Sequence, residues 1–251
     1  MLSLDNFTFE YDPYPIGVAT PAVEPPLYAE MLAAWPPLEL FRHTGKHGQK
    51  MALSGKNHRR QFQRYVAETP VWREFYRYLR SDDFIFGAFE MLRRHNIDLG
   101  ITRQSQSLRH RLATCVSHLA RGHLPNTPPA LSARLEFSAL SADGGVLLPH
   151  TDTQKKIVTF VVSMLNDGEW NPAYGGGTDV LKPSDPRNTY NELNRQLPYE
   201  EVETLRTIEY RPNQALVFVK TFNSLHGVKR MTGNASDVWR RTLTINIVST
   251  P

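Results

Sequence analysis

The 251-residue sequence has a single cysteine, Cys115. One thiol excludes an internal disulfide framework and fits a reducing compartment, so a cytoplasmic location is the expectation. Cys115 itself reads as a small core residue and not as a nucleophile. No run of about 18 apolar residues occurs, so no transmembrane helix and no membrane partner is expected. The opening stretch MLSLDNFTFEYD lacks a basic segment followed by an apolar one, and no secretory leader is expected. There is no internal repeat and no recognisable nucleic-acid-binding motif. Acidic residues are scarce in one region. Residues 42–121 carry 16 Lys and Arg against 6 Asp and Glu, whereas the remainder carries 13 against 19. Such a basic stretch attracts phosphate, carboxylate or nucleic acid, and solvated helix faces have the same composition.

The chain divides by texture. Residues 1–25 hold Pro13, Pro15, Pro21 and Pro25 among aromatics, which predicts an extended arm laid over the domain. Leu27, Met31, Leu32 and Trp35 recur at helical spacing before Pro36 and Pro37 stop the pattern. Residues 41–60 are rich in Gly, Lys and His and read as a loop. His43, His47 and His58 have no carboxylate at useful spacing and read as solvated. Thr69-Pro70 predicts a helix start, with Trp72, Phe75, Tyr76 and Leu79 on one face. Ser81-Asp82-Asp83 caps a second helix. Leu108, Leu112, Val116 and Leu119 fit another within 104–121. A proline-rich seam at 124–129 follows.

From Leu131 the period changes to two. Arg134, Glu136 and Ser138 alternate with Leu135, Phe137 and Ala139, a half-polar strand. Short strands separated by turns then run to the end, broken by a glycine-rich bend at 170–177 (WNPAYGGG) and a polar insertion at 184–203. Helices followed by about eight short strands predict an α+β, mainly β chain: a jelly-roll core over 131–251, with residues 1–130 as an arm and helical layer packed on it as one structural unit.

One stretch, LLPHTDTQKKIVTFVVSM at 147–164, places His150 and Asp152 at the mouth of an apolar β-branched strand. On extended backbone, residues i and i+2 point the same way, so an imidazole and a carboxylate can close on one ion. His226, in FNSLHGVKR, comes from a distant strand and can complete two histidines and one carboxylate, a pattern suited to non-haem Fe(II) with open positions. The last strand reads RRTLTINI. Arg240, Thr242, Thr244 and Asn246 share one face, and Arg241, Leu243, Ile245 and Ile247 the other. An Arg beside a Thr on a polar face suits a carboxylate pocket, and the exposed face of an edge strand has the same pattern; sharing that face with Thr242 favours Arg240 over Arg241.

HTD, the distal SLHGV and RRTLTIN together resemble the Fe(II)/2-oxoglutarate dioxygenases, most of all their prolyl 4-hydroxylase-like branch. FSALSADGGVLLPHTDTQKKIVTFVVSMLND and EWNPAYGGGTDVLKP resemble that branch's flanking segments, and the resemblance covers residues 131–248. It implies a double-stranded β-helix and makes His150, Asp152 and His226 the iron ligands. Arg240 then anchors the distal carboxylate of 2-oxoglutarate, with Thr242 as its hydroxyl neighbour. The gap from His226 to Arg240 is longer than in that branch, which keeps Arg241 in play. The reaction implied is hydroxylation of an unactivated C–H in a small-molecule or peptidyl substrate, prolyl among them, releasing succinate and carbon dioxide. The cofactors that the resemblance implies are Fe(II) and 2-oxoglutarate as co-substrate, with ascorbate a candidate auxiliary. An intact Asp152 favours hydroxylation over halogenation. Arg134, Glu136 and residues 171–177 are candidates to line the site, or simply its structural neighbours. Two rivals stand beside this reading: a non-catalytic module binding an anionic ligand or partner, and a nucleic-acid demethylase of the same chemistry.

Overall fold

The structure, a computed structural model, describes residues 1–44, 50–106, 117, 130–234 and 237–250. His47, Cys115, the seam at 124–129 and most of the helix expected over 104–121 lie outside these residues.

The helices form where the sequence spacing places them, except for Arg59–Glu68, a helix not among those expected. Helix α1 (Pro25–Ala33) carries proline in its first turn. Helix α2 (Arg59–Glu68) buries Phe62 and Val66, and α3 (Pro70–Leu79) buries Val71, Trp72, Phe75 and Leu79. Thr69 precedes α3 as expected, but its side chain makes no capping bond; Pro70, with its preset φ, starts the helix. Helix α4 (Asp82–Arg94) is capped by Ser81, whose Oγ accepts from the Phe84 N–H at 3.3 Å. Asp82 and Asp83 in its first turn and Arg93 and Arg94 in its last complement the helix dipole.

The strands are β1 (Thr8–Glu10), β2 (Ile16–Ala19), β3 (Arg42–His43), β4 (Met51–Ser54), β5 (Ala130–Ser141), β6 (Leu147–His150), β7 (Lys156–Ser163), β8 (Thr178–Pro183), β9 (Val202–Ile208), β10 (Ala215–Val219), β11 (His226–Val228) and β12 (Trp239–Thr250). They make an eight-stranded sheet in the order β1-β2-β10-β7-β12-β5-β4-β3 and a four-stranded sheet in the order β6-β11-β8-β9. The pairings are antiparallel. The chain is thus mostly β, with helices against the larger sheet.

Two expectations are corrected. The arm at 1–25 does not merely lie over the domain: β1 and β2 join the large sheet, β2 pairing with β10. Residues 41–60 are not a loop throughout. Strands β3 and β4 form the other edge, and Met51–Ser54 pairs with the middle of β5. An unpaired β5 edge would expose its backbone donors and acceptors, and β4 covers it while burying Ala52 and Leu53.

The alternation along β12 decides what each face of the large sheet does. Leu243, Ile245 and Ile247 share a core with Leu135, Phe137, Phe160 and Val162 of the neighbouring strands and with Trp72, Phe75, Phe84 and Met91 of the helices. Phe137 sits at its centre, edge-on to Trp72 at 4.7 Å and to Trp35 at 5.4 Å. The opposite face carries Arg240, Thr242, Thr244 and Asn246, paired in register with Leu140, Ser138, Glu136 and Arg134 of β5. This polar face meets the small sheet, since the Arg240 guanidinium reaches Thr178 of β8.

Candidate metal centre and anion pocket

His150 ends β6 and His226 begins β11. The two strands are antiparallel neighbours, and these residues are partners across the ladder. Their rings therefore lie next to each other, centroids 4.4 Å apart and planes tilted by 49°. The Nδ1 of His150 lies 2.8 Å from the Leu148 carbonyl, and that of His226 lies 2.9 Å from the Ser224 carbonyl. A carbonyl only accepts, so Nδ1 donates in both rings and Nε2 presents the lone pair.

Asp152 meets them by a different route from the extended one the sequence implied. Strand β6 stops at His150, and Asp152 adopts φ 70°, a left-handed conformation that Asp tolerates better than most residues. The turn brings its Oδ1 to 3.6 Å from His150 Nε2. One ligand atom from each of His150, Asp152 and His226 lies within 4.8 Å of the others, and all three residues are buried. Two imidazole nitrogens with fixed tautomers and one carboxylate fit a divalent transition-metal ion while leaving coordination positions open.

The surroundings hold the carboxylate ionised. Lys156 donates to Asp152 Oδ1 at 2.6 Å. Thr159 Oγ1 lies 3.0 Å from Asp152 Oδ2 and 3.0 Å from the Asn246 amide; its single proton goes to the carboxylate, the stronger acceptor. Burial pushes the Asp152 carboxyl up, but the nearby positive charge, that of Lys156 foremost, outweighs it and holds it well below the usual carboxylate range. Burial pushes the His226 imidazole down against the pull of Asp152, which keeps it in the neutral form a metal requires. Thr151, between the two ligands, is tied to the insertion at 184–203. Its hydroxyl donates to the Asn191 carbonyl at 2.6 Å, and its N–H donates to Asn194 Oδ1 at 3.1 Å. The insertion thus straps the loop that carries His150 and Asp152.

The two adjacent arginines part company. Arg240 is 5% exposed. Its Nε donates to the Gly176 carbonyl and its Nη2 to Thr178 Oγ1 at 3.2 Å, and the guanidinium lies 5.0 Å from the centre of the Tyr210 ring. Among the described residues, no carboxylate is within ion-pair distance of it. Burial pushes its pKa down, opposed by the nearby Tyr210, Tyr199 and Asp179. A buried cation held by a carbonyl, a hydroxyl and a ring fits an incoming anion. Thr242 is buried on the same face. Arg241 points to the opposite face, pairs with Glu169 and lies over Trp35, remote from the histidines.

Three polar residues near the centre escaped the sequence reading. Lys50, from a stretch read as loop, donates to Glu136 at 2.6 Å. Lys156 and Thr159 lie on β7, and their spacing from Asp152 is the signal that would have found them. Arg134 is exposed.

No family model matches the sequence, and no curated protein matches it. Among solved structures, the chain is similar to a prolyl-4-hydroxylase from Pseudomonas putida, at 11% identity and a TM-score of 0.47, covering 94% of this chain and 92% of that one. It is also similar to IDO from Bacillus thuringiensis (12%, TM-score 0.49, covering 98% and 91%). A third is the non-heme alpha ketoglutarate dependent epimerase SnoN from nogalamycin biosynthesis (13%, TM-score 0.43, covering 93% and 76%). Scores this low carry no functional argument, and the reading of the site stands on its own residues. The His150–Asp152–His226 cluster is the ligand set that the sequence motifs implied.

Proposed function

We propose that this protein is an Fe(II)- and 2-oxoglutarate-dependent dioxygenase that hydroxylates an unactivated C–H of a small-molecule or peptidyl substrate. One observation carries the reading: a buried cluster of two tautomer-fixed histidines and one ionised aspartate shares the interior between the sheets with a buried arginine that has no carboxylate partner among the described residues. The distribution of strands supports a double-stranded β-helix, because β5, β7, β10 and β12 fall in the large sheet and β6, β8, β9 and β11 in the small one.

His150, Asp152 and His226 would hold Fe(II), and Arg240, with Thr242 beside it, would hold the distal carboxylate of 2-oxoglutarate. When bound, the iron and co-substrate supply the oxidising chemistry that turns 2-oxoglutarate and oxygen into succinate, carbon dioxide and a hydroxylated product. The chain does the rest. The Leu148 and Ser224 carbonyls fix the imidazole tautomers, and Thr159 orients the Asp152 carboxylate. Phe218, 4.3 Å from the His226 ring, keeps that side of the centre apolar. Lys50, Glu136 and Lys156 are half-buried at the centre's polar side, so the substrate we favour carries polar or charged groups next to the carbon oxidised. The single cysteine supports a reducing, cytoplasmic setting. Among the described residues no helix is long and apolar enough to cross a membrane.

The test is an anaerobic titration of the metal-free protein with Fe(II) and 2-oxoglutarate, followed by the visible iron-to-oxoacid charge-transfer band. Wild type gives a band, Arg240→Ala weakens co-substrate binding roughly a hundredfold, and Arg241→Ala leaves it within about twofold. No band in folded wild-type protein sinks the oxygenase reading in favour of a binding module. A salt-dependent affinity for oligonucleotide would point instead to the nucleic-acid branch of the chemistry.

A further inference from the structure

We propose that the glycine-rich bend at 170–177 is a clamp that sets the direction of the Arg240 guanidinium, with Gly176 and Thr178 as positioning residues for co-substrate binding. The inference rests on the reading of Arg240 given above and extends it to residues that touch neither metal nor co-substrate.

The bend and Arg240 are locked together at several points. The Gly176 carbonyl accepts from Arg240 Nε, and Thr178 Oγ1, two residues on, accepts from Nη2 at 3.2 Å. Among the described residues these are the only hydrogen-bond acceptors on the guanidinium. They leave Nη1 and one N–H of Nη2 to meet a carboxylate. The ring of Tyr210 supports the guanidinium at 5.0 Å. That ring is itself pinned to β12, since its hydroxyl donates to the Arg241 carbonyl at 2.7 Å and accepts from the Arg241 N–H at 2.9 Å. Trp170 closes the clamp. It packs edge-on to Tyr210 at 5.2 Å, and its Nε1 donates to the Gly175 carbonyl at 2.9 Å.

Glycine is required here for two reasons that add. Gly176 has φ 86°, which side chains resist. A Cβ on it would also lie 2.9 Å from Trp170 Cζ2, 3.2 Å from Met231 Sδ and 3.4 Å from Arg240 Cδ. A methyl group there is driven between Trp170 and the arginine stem, and the carbonyl that aims Nε moves with it. A bend that only connected strands would need the backbone freedom. It would not need its carbonyl on a buried cation.

The experiment compares wild type, Arg240→Ala, Gly176→Ala and Thr178→Val in 2-oxoglutarate titrations of the Fe(II)-loaded protein under anaerobic conditions. Fe(II) affinity and thermal unfolding are measured on the same samples. Gly176→Ala is expected to weaken 2-oxoglutarate binding about tenfold or more and Thr178→Val about threefold to tenfold, with Fe(II) affinity within about twofold of wild type. In turnover, the half-saturation concentration for 2-oxoglutarate rises while the rate at saturation is kept. Should Gly176→Ala fail to fold, Thr178→Val decides. Wild-type co-substrate affinity in the folded glycine and threonine variants, with Arg240→Ala impaired, overturns the clamp and leaves the dioxygenase reading standing. Absence of co-substrate binding in wild type overturns both.

Discussion

On one side of β12 lie Leu243, Ile245 and Ile247, and on the other Arg240, Thr242, Thr244 and Asn246, one sheet thickness apart. The first set packs against helices in a continuous apolar core. The second meets the small sheet, and the polar groups traced around the metal centre have named partners. The difference shows how one strand can carry stability and chemistry at once. Period-two alternation sends successive side chains to opposite faces, so a change on one side need not disturb the other. Arg240 and Arg241 are the sharpest instance: adjacent in sequence, one is buried beside the candidate anion pocket and the other pairs with Glu169 on the helix side.

If the division is real, substitutions on the two faces separate into different measurements. The largest effect is expected from His226→Ala. Turnover should fall by well over the roughly 10–100-fold that loss of a supporting residue costs, while the thermal unfolding midpoint moves little. An unchanged Fe(II) affinity in this variant would break the assignment. Phe137→Ala, on the opposite face, should do the converse. It leaves a cavity among Trp35, Trp72 and Phe62 and should cost about 3–5 kcal/mol in denaturant unfolding, with Fe(II) affinity retained in whatever protein remains folded.

Smaller effects sharpen the boundary. Thr159→Val keeps the shape of β7 but removes the hydroxyl on Asp152, and metal affinity should drop about tenfold with little change in stability. Lys50→Met strips Glu136 of its ion-pair partner at a site where both side chains are about a fifth exposed or less, and should cost roughly 1 kcal/mol at neutral pH. Burial pushes the Glu136 carboxyl up, yet Lys50 and its neighbours hold it below the ordinary value in the folded protein. The stabilisation is therefore present above the ordinary carboxylate pKa and is lost as pH falls through the lowered one. The gap between wild type and Lys50→Met should narrow on acidification, and a gap independent of pH would mean the pair contributes packing rather than charge.

Much of this arrangement was legible in the chain. The RRTLTINI alternation separated the faces, and His150, Asp152 and His226 converge as their contexts implied. What escaped had physical reasons. The Met51–Ser54 strand is four residues long, between Gly-, Lys- and His-rich flanks, and is made a strand by β5, about eighty residues away in the sequence; no local pattern reports that partner. The prolines at 1–25 argued for an irregular arm, and edge positions tolerate proline-flanked strands. Lys50 meets Glu136 only through the same long-range pairing. The Asp152 geometry was reached for an incomplete reason: i and i+2 do converge, but through a left-handed turn instead of an extended strand.

The place of β12 in the large sheet has a consequence for how the molecule is made. It is the last strand in chain order, yet it sits between β7 and β5 and pairs with both along most of its length. As the chain leaves the ribosome, everything before residue 239 is synthesised while those two strands still face each other across a gap. The central ladder cannot zip progressively and closes only when its keystone arrives. Until then the nascent protein holds two open strand edges and a core that lacks Leu243, Ile245 and Ile247, the state in which a chaperone has most to offer and an aggregating neighbour most to gain.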